Sequence, residues 1–185
     1  MLIKQTAAIV VSNKPICRAI LWAARAKAHD KSRPVLSLVH IEDTNIVCTN
    51  GKSLHVAQVD WDGFKVGASD YTIVKVGRSE ICLLPNEDPA VAFPAYWQSV
   101  VPSLDGMVAV RGLMSPYEVC AEIGRLGGIL DFYQVLAAID ERCKVDMYYN
   151  PTTPALTPIV LAHVGVPYKA VIMPLVKRNY SAFQV

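Results

Sequence analysis

Residues 14–28 constrain the fold more than any other stretch, because they read as an alanine-rich helix with two chemically opposed faces. Ser12 or Asn13 can cap its start, and Pro15 sits in the first turn, where a missing N–H costs nothing. At 100° per residue Lys14, Arg18 and Arg25 fall within about 40° of one another, and His29 extends the same line. Ile16, Ile20, Ala23 and Ala24 cluster on the opposite side, with Trp22 beside the basic stripe. A helix of this kind lays its apolar side on a sheet and leaves its cations facing outward.

The rest of the chain supplies the sheet. Residues 2–11 read as a strand before the helix. Residues 35–41, 45–49 and 54–61 follow as extended segments, separated by Asp43-Thr44-Asn45 and Asn50-Gly51, so the first part reads β-α-β-β-β. The last part repeats that order. Residues 117–123 read as extended and 129–141 as helical, with Ile129, Phe132, Val135, Leu136 and Ile139 on one face. Residues 144–149, 156–163 and 168–176 then read as strands. Between the halves, residues 71–76 and 79–84 form a hairpin around Gly77-Arg78, and residues 93–102 make an aromatic, proline-bounded connector. The fold class expected is α+β: two β-α-β-β-β halves, their two helices packed on antiparallel sheet. It is read as one domain over 1–185, with 1–61 as first half, 62–111 as connector and hairpin, 112–176 as second half and 177–185 as tail.

Composition narrows the function. Hydrophobic residues make up 52% and charged residues 18%, enough for a real core and too apolar for a disordered chain. Eighteen Lys and Arg against sixteen Asp and Glu leave no overall basic field, so a nucleic-acid surface has to be a local stripe. The most apolar stretch, residues 157–176, is broken by Pro158, Pro167, Lys169 and Pro174, so no membrane span is expected. The N-terminus carries no secretory pattern. Five widely spaced cysteines without a C-x-x-C pair read as buried, reduced thiols of a cytoplasmic protein.

Four pieces, in order, resemble the bacterial replicative sliding clamp, the beta subunit of DNA polymerase III. Lys31-Ser32-Arg33-Pro34-Val35-Leu36-Ser37 resembles the family's basic residue and R-P-V-L-S strand entry. Cys48-Thr49-Asn50-Gly51-Lys52-Ser53-Leu54 resembles its A-T-D-G-H-R-L turn. The run from Phe93-Pro94 through Val100-Val101-Pro102 resembles the F-P-D-Y-x-x-V-x-P connector, with one extra residue. Val171-Ile172-Met173-Pro174-Leu175-Val176 resembles the closing V-V-M-P-M-R-L strand.

The resemblance implies a DNA-clamp-like fold and a non-enzymatic role. It implies contact with double-stranded DNA through Lys14, Arg18, Arg25, Lys27, Lys31 and Arg33, a sequence-independent and salt-sensitive binding. It also implies an apolar cleft for short linear motifs of DNA polymerases or repair proteins, formed by Thr49, Gly51, Leu54, Pro94, Val100, Val171, Met173, Pro174 and Leu175. A family subunit has three domains of this kind, so a ring built from this chain would need six copies, a homo-oligomer. Two alternatives stay open: a monomeric adaptor or regulator that does not encircle DNA, and a small-molecule-binding domain.

Enzyme readings are thin. His29, His40, His55 and His163 form no H-x-x-x-H or H-E-x-x-H pair, and no metal or cofactor is expected. Asp60 and Asp62 with Glu42 or Asp43 read as a solvated turn rather than a Mg²⁺ site. Gly124-Arg125-Leu126-Gly127-Gly128 matches no nucleotide fingerprint.

Overall fold

Helix α1 (Lys14–Ala24) starts where its caps predict. Asn13 accepts a hydrogen bond from the Ile16 N–H (3.2 Å), and Pro15 lies in the first turn. It ends earlier than residue 28, because Arg25, Ala26 and Lys27 wind tighter, donating to Trp22, Ala23 and Ala24, and Ala28 N–H passes to the Leu36 carbonyl. This computed structural model describes residues 7–30, 32–61, 63, 66–95 and 97–175.

The strands are β1 (Ile9–Val11), β2 (Val39–Glu42), β3 (Asn45–Thr49), β4 (Ser53–Gln58), β5 (Ser69–Val76), β6 (Ile81–Pro85), β7 (Val108–Leu113), β8 (Val145–Tyr149), β9 (Ile159–His163) and β10 (Tyr168–Ile172). They make one ten-stranded sheet in the order β1-β6-β5-β2-β3-β4-β10-β9-β8-β7. Every pairing is antiparallel. The two halves meet at β4 and β10, where Leu54 faces Val171 and His55 faces Ala170. Outward from that seam β3 corresponds to β9 and β2 to β8, the repetition read from the sequence. In the second half β7 pairs directly with β8. In the first, the β5–β6 hairpin is inserted between β1 and β2.

Helices cover one face. Ile16, Ile20 and Ala23 of α1 pack with Ile46, Cys48 and Ala57, and Val135 and Ala138 of helix α4 (Phe132–Ala138) join the same core beside Ala170 and Ile172. The opposite face carries a second core of Leu38, Val47, Leu54, Val56, Phe93, Trp97, Val160 and Val171, roofed by the short helix α2 (Trp97–Val100). The central strands are therefore apolar at successive positions, buried on both sides.

Several sequence expectations fail. Residues 117–123 are not extended but lie in helix α3 (Pro116–Arg125). Ser115 accepts from the Glu118 N–H (3.3 Å), and Glu118 accepts from the Ser115 N–H (3.1 Å), a capping box that outweighs the short apolar alternation. The second half is thus β-α-α-β-β-β. The expected strand over 35–41 opens as a 3₁₀ turn (Pro34–Ser37) and is extended only from Val39. The remaining differences are shorter ends: of the 2–11 strand only Ile9–Val11 is extended, residues 2–6 lying outside the described residues; β4 ends at Gln58; the 129–141 helix is reduced to α4; β9 starts at Ile159; and β10 stops at Ile172. The five cysteines are unpaired; Cys17 and Cys48 are buried, but Cys82, Cys120 and Cys143 are only half-buried. The expected tail, 177–185, lies outside the described residues.

Candidate functional site

On the face opposite the helices, three segments distant in sequence close around an apolar cleft of about 310 Å³. The β3–β4 turn supplies Thr49, Gly51 and Leu54; the connector supplies Pro94 and Val100; β10 and its continuation supply Val171 and Met173. Those are seven of the nine positions expected from the sequence. Pro174 is buried and Leu175 is exposed, and neither lines the cavity. Leu36, Phe93 and Trp97 line it as well. The aromatic spacing of the connector was the signal that could have found the last two.

Each wall is fixed by its own bonds. The Thr49 hydroxyl donates to the Ser53 carbonyl (2.6 Å), and Asn50 Oδ1 accepts from the N–H groups of Lys52 (2.9 Å) and Ser53 (3.0 Å). Gly51 takes φ +85°, which a side chain would strain. Gln134 of α4 ties the turn down from the other side of the sheet, its Oε1 accepting from Ser53 Oγ (2.6 Å) and Asn50 Nδ2 (2.9 Å). The Met173 N–H donates to the Lys52 carbonyl (3.0 Å), joining turn to closing segment. The connector is held by two carboxylates. Asp70 accepts from the Phe93 N–H (2.7 Å) and bonds His40, whose ring stacks on Phe93 with centroids 5.0 Å apart. Glu42 accepts from Trp97 Nε1 (3.1 Å) and Gln98 Nε2 (3.2 Å). A preformed apolar groove of this size accepts one or two aliphatic or aromatic side chains, with exposed Met173 able to adapt its shape.

A second concavity, about 530 Å³, opens along the outer side of α1. Lys14, Arg18 and Arg25 line it, joined by two cations that the sequence reading missed, Arg78 of the β5–β6 turn and Arg142 after α4. Arg18 is committed elsewhere. Its guanidinium bonds Asp140 through Nη2 (2.7 Å) and Nε (3.1 Å). Burial would raise the Asp140 carboxyl, but the Arg18 bond, the Arg142 N–H and both guanidinium charges outweigh it and hold the group below the usual carboxylate range. The other three expected cations lie apart from this groove. Lys27 is half-buried in the turn after α1, Arg33 lines the apolar cleft on the opposite face, and Lys31 is outside the described residues.

Between the two surfaces Trp22 is only 2% exposed, so it belongs to the core and not to the basic stripe. Its ring is stacked between His55 and Tyr168, each with centroids 4.7 Å away, and meets His163 edge-on at 5.2 Å. Its Nε1 donates to the Ala138 carbonyl (2.9 Å), and Arg25 Nη1 donates to the Ile139 carbonyl (3.2 Å), so α1 lies beside the end of α4 across the seam. No group of three or more His, Cys, Asp or Glu suited to a metal ion occurs among the described residues. No helix among them is long and apolar enough to cross a membrane.

Solved structures of bacterial beta sliding clamps share this architecture. A beta sliding clamp from C. crescentus superposes with TM-score 0.64 at 12% identity, over 95% of this chain and 67% of that one. The chain has the fold of the bacterial sliding clamp. The DNA polymerase III beta subunit of Borrelia burgdorferi gives TM-score 0.61 at 12% identity, over 96% and 66% of the two chains. That of Pseudomonas aeruginosa gives 0.59 at 11%, over 95% and 69%. The match therefore spans about two thirds of each of those clamp chains. No family model matches the sequence, and no curated protein matches it. The clamp fold is thus present here at only 11–12% identity to those chains.

Proposed function

We propose that this chain is a non-enzymatic, clamp-type module of DNA replication or repair that acts in the cytoplasm. Its apolar cleft captures short linear segments of DNA polymerases or repair proteins, and the cationic side of α1 rests on duplex DNA. The supporting observation is that the turn, the connector and the closing segment, brought together by nothing in the local sequence, line one apolar cavity with preformed walls. A groove edged by a turn and floored by sheet suits a few anchor side chains of an extended peptide. The test is fluorescence anisotropy of a labelled peptide bearing Leu and Phe two residues apart. Wild type binds it, and Met173→Ala weakens it several-fold. No binding by wild type contradicts the reading.

A specific asymmetry favours an adaptor over a ring. The α1 side carries Lys14, Arg25, Arg78 and Arg142 around one groove. In contrast, α4 has no charged residue, and the one cation of α3, Arg125, is paired with Glu122. Two tyrosines, Tyr117 and Tyr133, stand out there at 73% and 77% accessible. The first half and its hairpin then supply most of the cationic contact, and Arg142, itself 3.6 Å from Asp140, is the second half's contribution to that groove. Static light scattering separates the readings: a monomer supports the adaptor, and a closed homo-oligomer of about six copies supports the ring.

A further inference from the structure

The apolar cleft has a charged lip of one sign. Among the described residues, Arg33 and Lys52 are its only charged lining residues, both exposed, and no aspartate or glutamate lines it. Neither forms an ion pair with a described residue. Asp30 lies within electrostatic range of Arg33, but its carboxylate accepts from the Ser32 N–H (2.8 Å) and hydroxyl (2.5 Å); behind the connector wall, Asp70 is engaged by His40 and the Phe93 N–H, and Glu42 by Trp97 and Gln98. The lip is also shaped to bring the cations forward. Gly51 at φ +85° presents no side chain, and a Cβ there would stand 3.7 Å from Arg33 Nη1, so the guanidinium lies directly over the turn. Two exposed cations without a direct ion pair among the described residues therefore stand beside an apolar slot, open to a ligand.

We propose that the cleft selects peptides whose apolar anchors are flanked by aspartate or glutamate, with Arg33 and Lys52 as the selecting residues. This inference rests on the peptide-binding reading of the same cleft. Apolar burial supplies the affinity, and the lip supplies discrimination, because an acidic flank gains two charge-assisted contacts while a basic flank meets repulsion. Charge also argues against the chain's own following segment as occupant, since it begins Val176-Lys177-Arg178.

The experiment uses the full chain and three labelled peptides with identical Leu and Phe anchors, flanked by Asp-Glu, Asn-Gln or Lys-Arg. At low salt the acidic peptide binds about fivefold more tightly than the neutral one, the size expected for two exposed ion pairs, and added salt erodes the difference. Arg33→Gln and Lys52→Gln, both surface changes, each bring the acidic peptide towards the neutral one, whereas Met173→Ala weakens both. Equal affinity for the acidic and neutral peptides overturns the inference and leaves the peptide-binding reading standing. Tightest binding of the Lys-Arg peptide also overturns it and gives the groove to the chain's own residues 176–185. Failure of all three to bind overturns both.

Discussion

Arg18 Nη2 and Asp140 Oδ2 stand 2.7 Å apart, linking the helix of the first half to the loop that follows α4 in the second. The Asp140 side chain is 6% exposed and that of Arg18 is 33% exposed, so the pair is a staple at the seam more than a surface contact. The Asp140 N–H donates to His163 Nε2 (3.1 Å) and its Oδ1 accepts from the Arg142 N–H (3.2 Å), which fixes the carboxylate from two further directions. Removing one partner leaves a buried group unsatisfied. Arg18→Ala should cost about 2 kcal/mol in denaturant unfolding, and the double change with Asp140→Asn less than the sum of the two singles. Asp140 has its carboxyl held low in the folded state, so its contribution is present above the usual carboxylate range and lost on acidification below it. Arg18→Ala should therefore also move the acid unfolding limb towards neutral pH.

DNA contact, if it uses the α1 groove, should depend on its exposed cations and not on Arg18 alone. Lys14, Arg25, Arg78 and Arg142 are exposed and line one concavity. Each phosphate contact removed should reduce the slope of log K against log salt by about 0.9. Lys14→Ala, Arg25→Ala and Arg78→Ala should each lower the slope measured with a duplex oligonucleotide, while Arg33→Gln, on the opposite face, should leave it unchanged. An equal effect from Arg33→Gln would place the DNA elsewhere.

His55 makes folding stability depend on pH. It is fully buried, its Nδ1 lies 3.2 Å from the Trp22 carbonyl, and its Nε2 has no partner among the described residues. Burial is the main cause that pushes its pKa down from 6.5 to about 4, and burial lowers His163 as well. A histidine depressed in the folded state binds its proton more readily when unfolded. Stability is therefore complete above pH 6.5 and falls between pH 6.5 and 4, by about 3 kcal/mol from His55. His55→Phe, which keeps a ring against Trp22, should flatten much of that slope in denaturant titrations across the window.

Gly51→Ala probes the lip of the cleft. No atom lies nearer than 3.7 Å to the position of the added methyl, so crowding is absent and backbone strain at φ +85° decides the outcome. The variant should lose about 1 kcal/mol of stability. It should also lose peptide affinity, because relief of the strain shifts Asn50 and Lys52 together with Met173, which is bonded to the Lys52 carbonyl.

Much of the fold was legible because the chain punctuates itself locally. Asn13 and Pro15 mark the start of α1, Asn50-Gly51 marks the β3–β4 hairpin, and Gly77-Arg78 marks the β5–β6 hairpin. Residues 117–123 were misread because Tyr117 and Val119 mimic strand alternation, while the deciding signal, Ser115 with Glu118, lies in the cap and not in the apolar pattern. Most of the cleft was legible through its turn, connector and closing segment. Its supports were not: His40, Glu42 and Asp70 reach the connector from the neighbouring strands β2 and β5. The cationic groove was half visible for the same reason. Lys14, Arg18 and Arg25 share one helix, whereas Arg78 and Arg142 arrive from other parts of the chain.

Hydrogen–deuterium exchange of the full chain, with and without the Leu/Phe peptide, tests the central claim most directly. Peptide in the cleft should slow amide exchange at Gly51–Ser53 and through Trp97–Val100, and leave the α1 amides unchanged. Protection confined to α1 and the Arg78 turn, or no protection anywhere at saturating peptide, would contradict the assignment of the cleft.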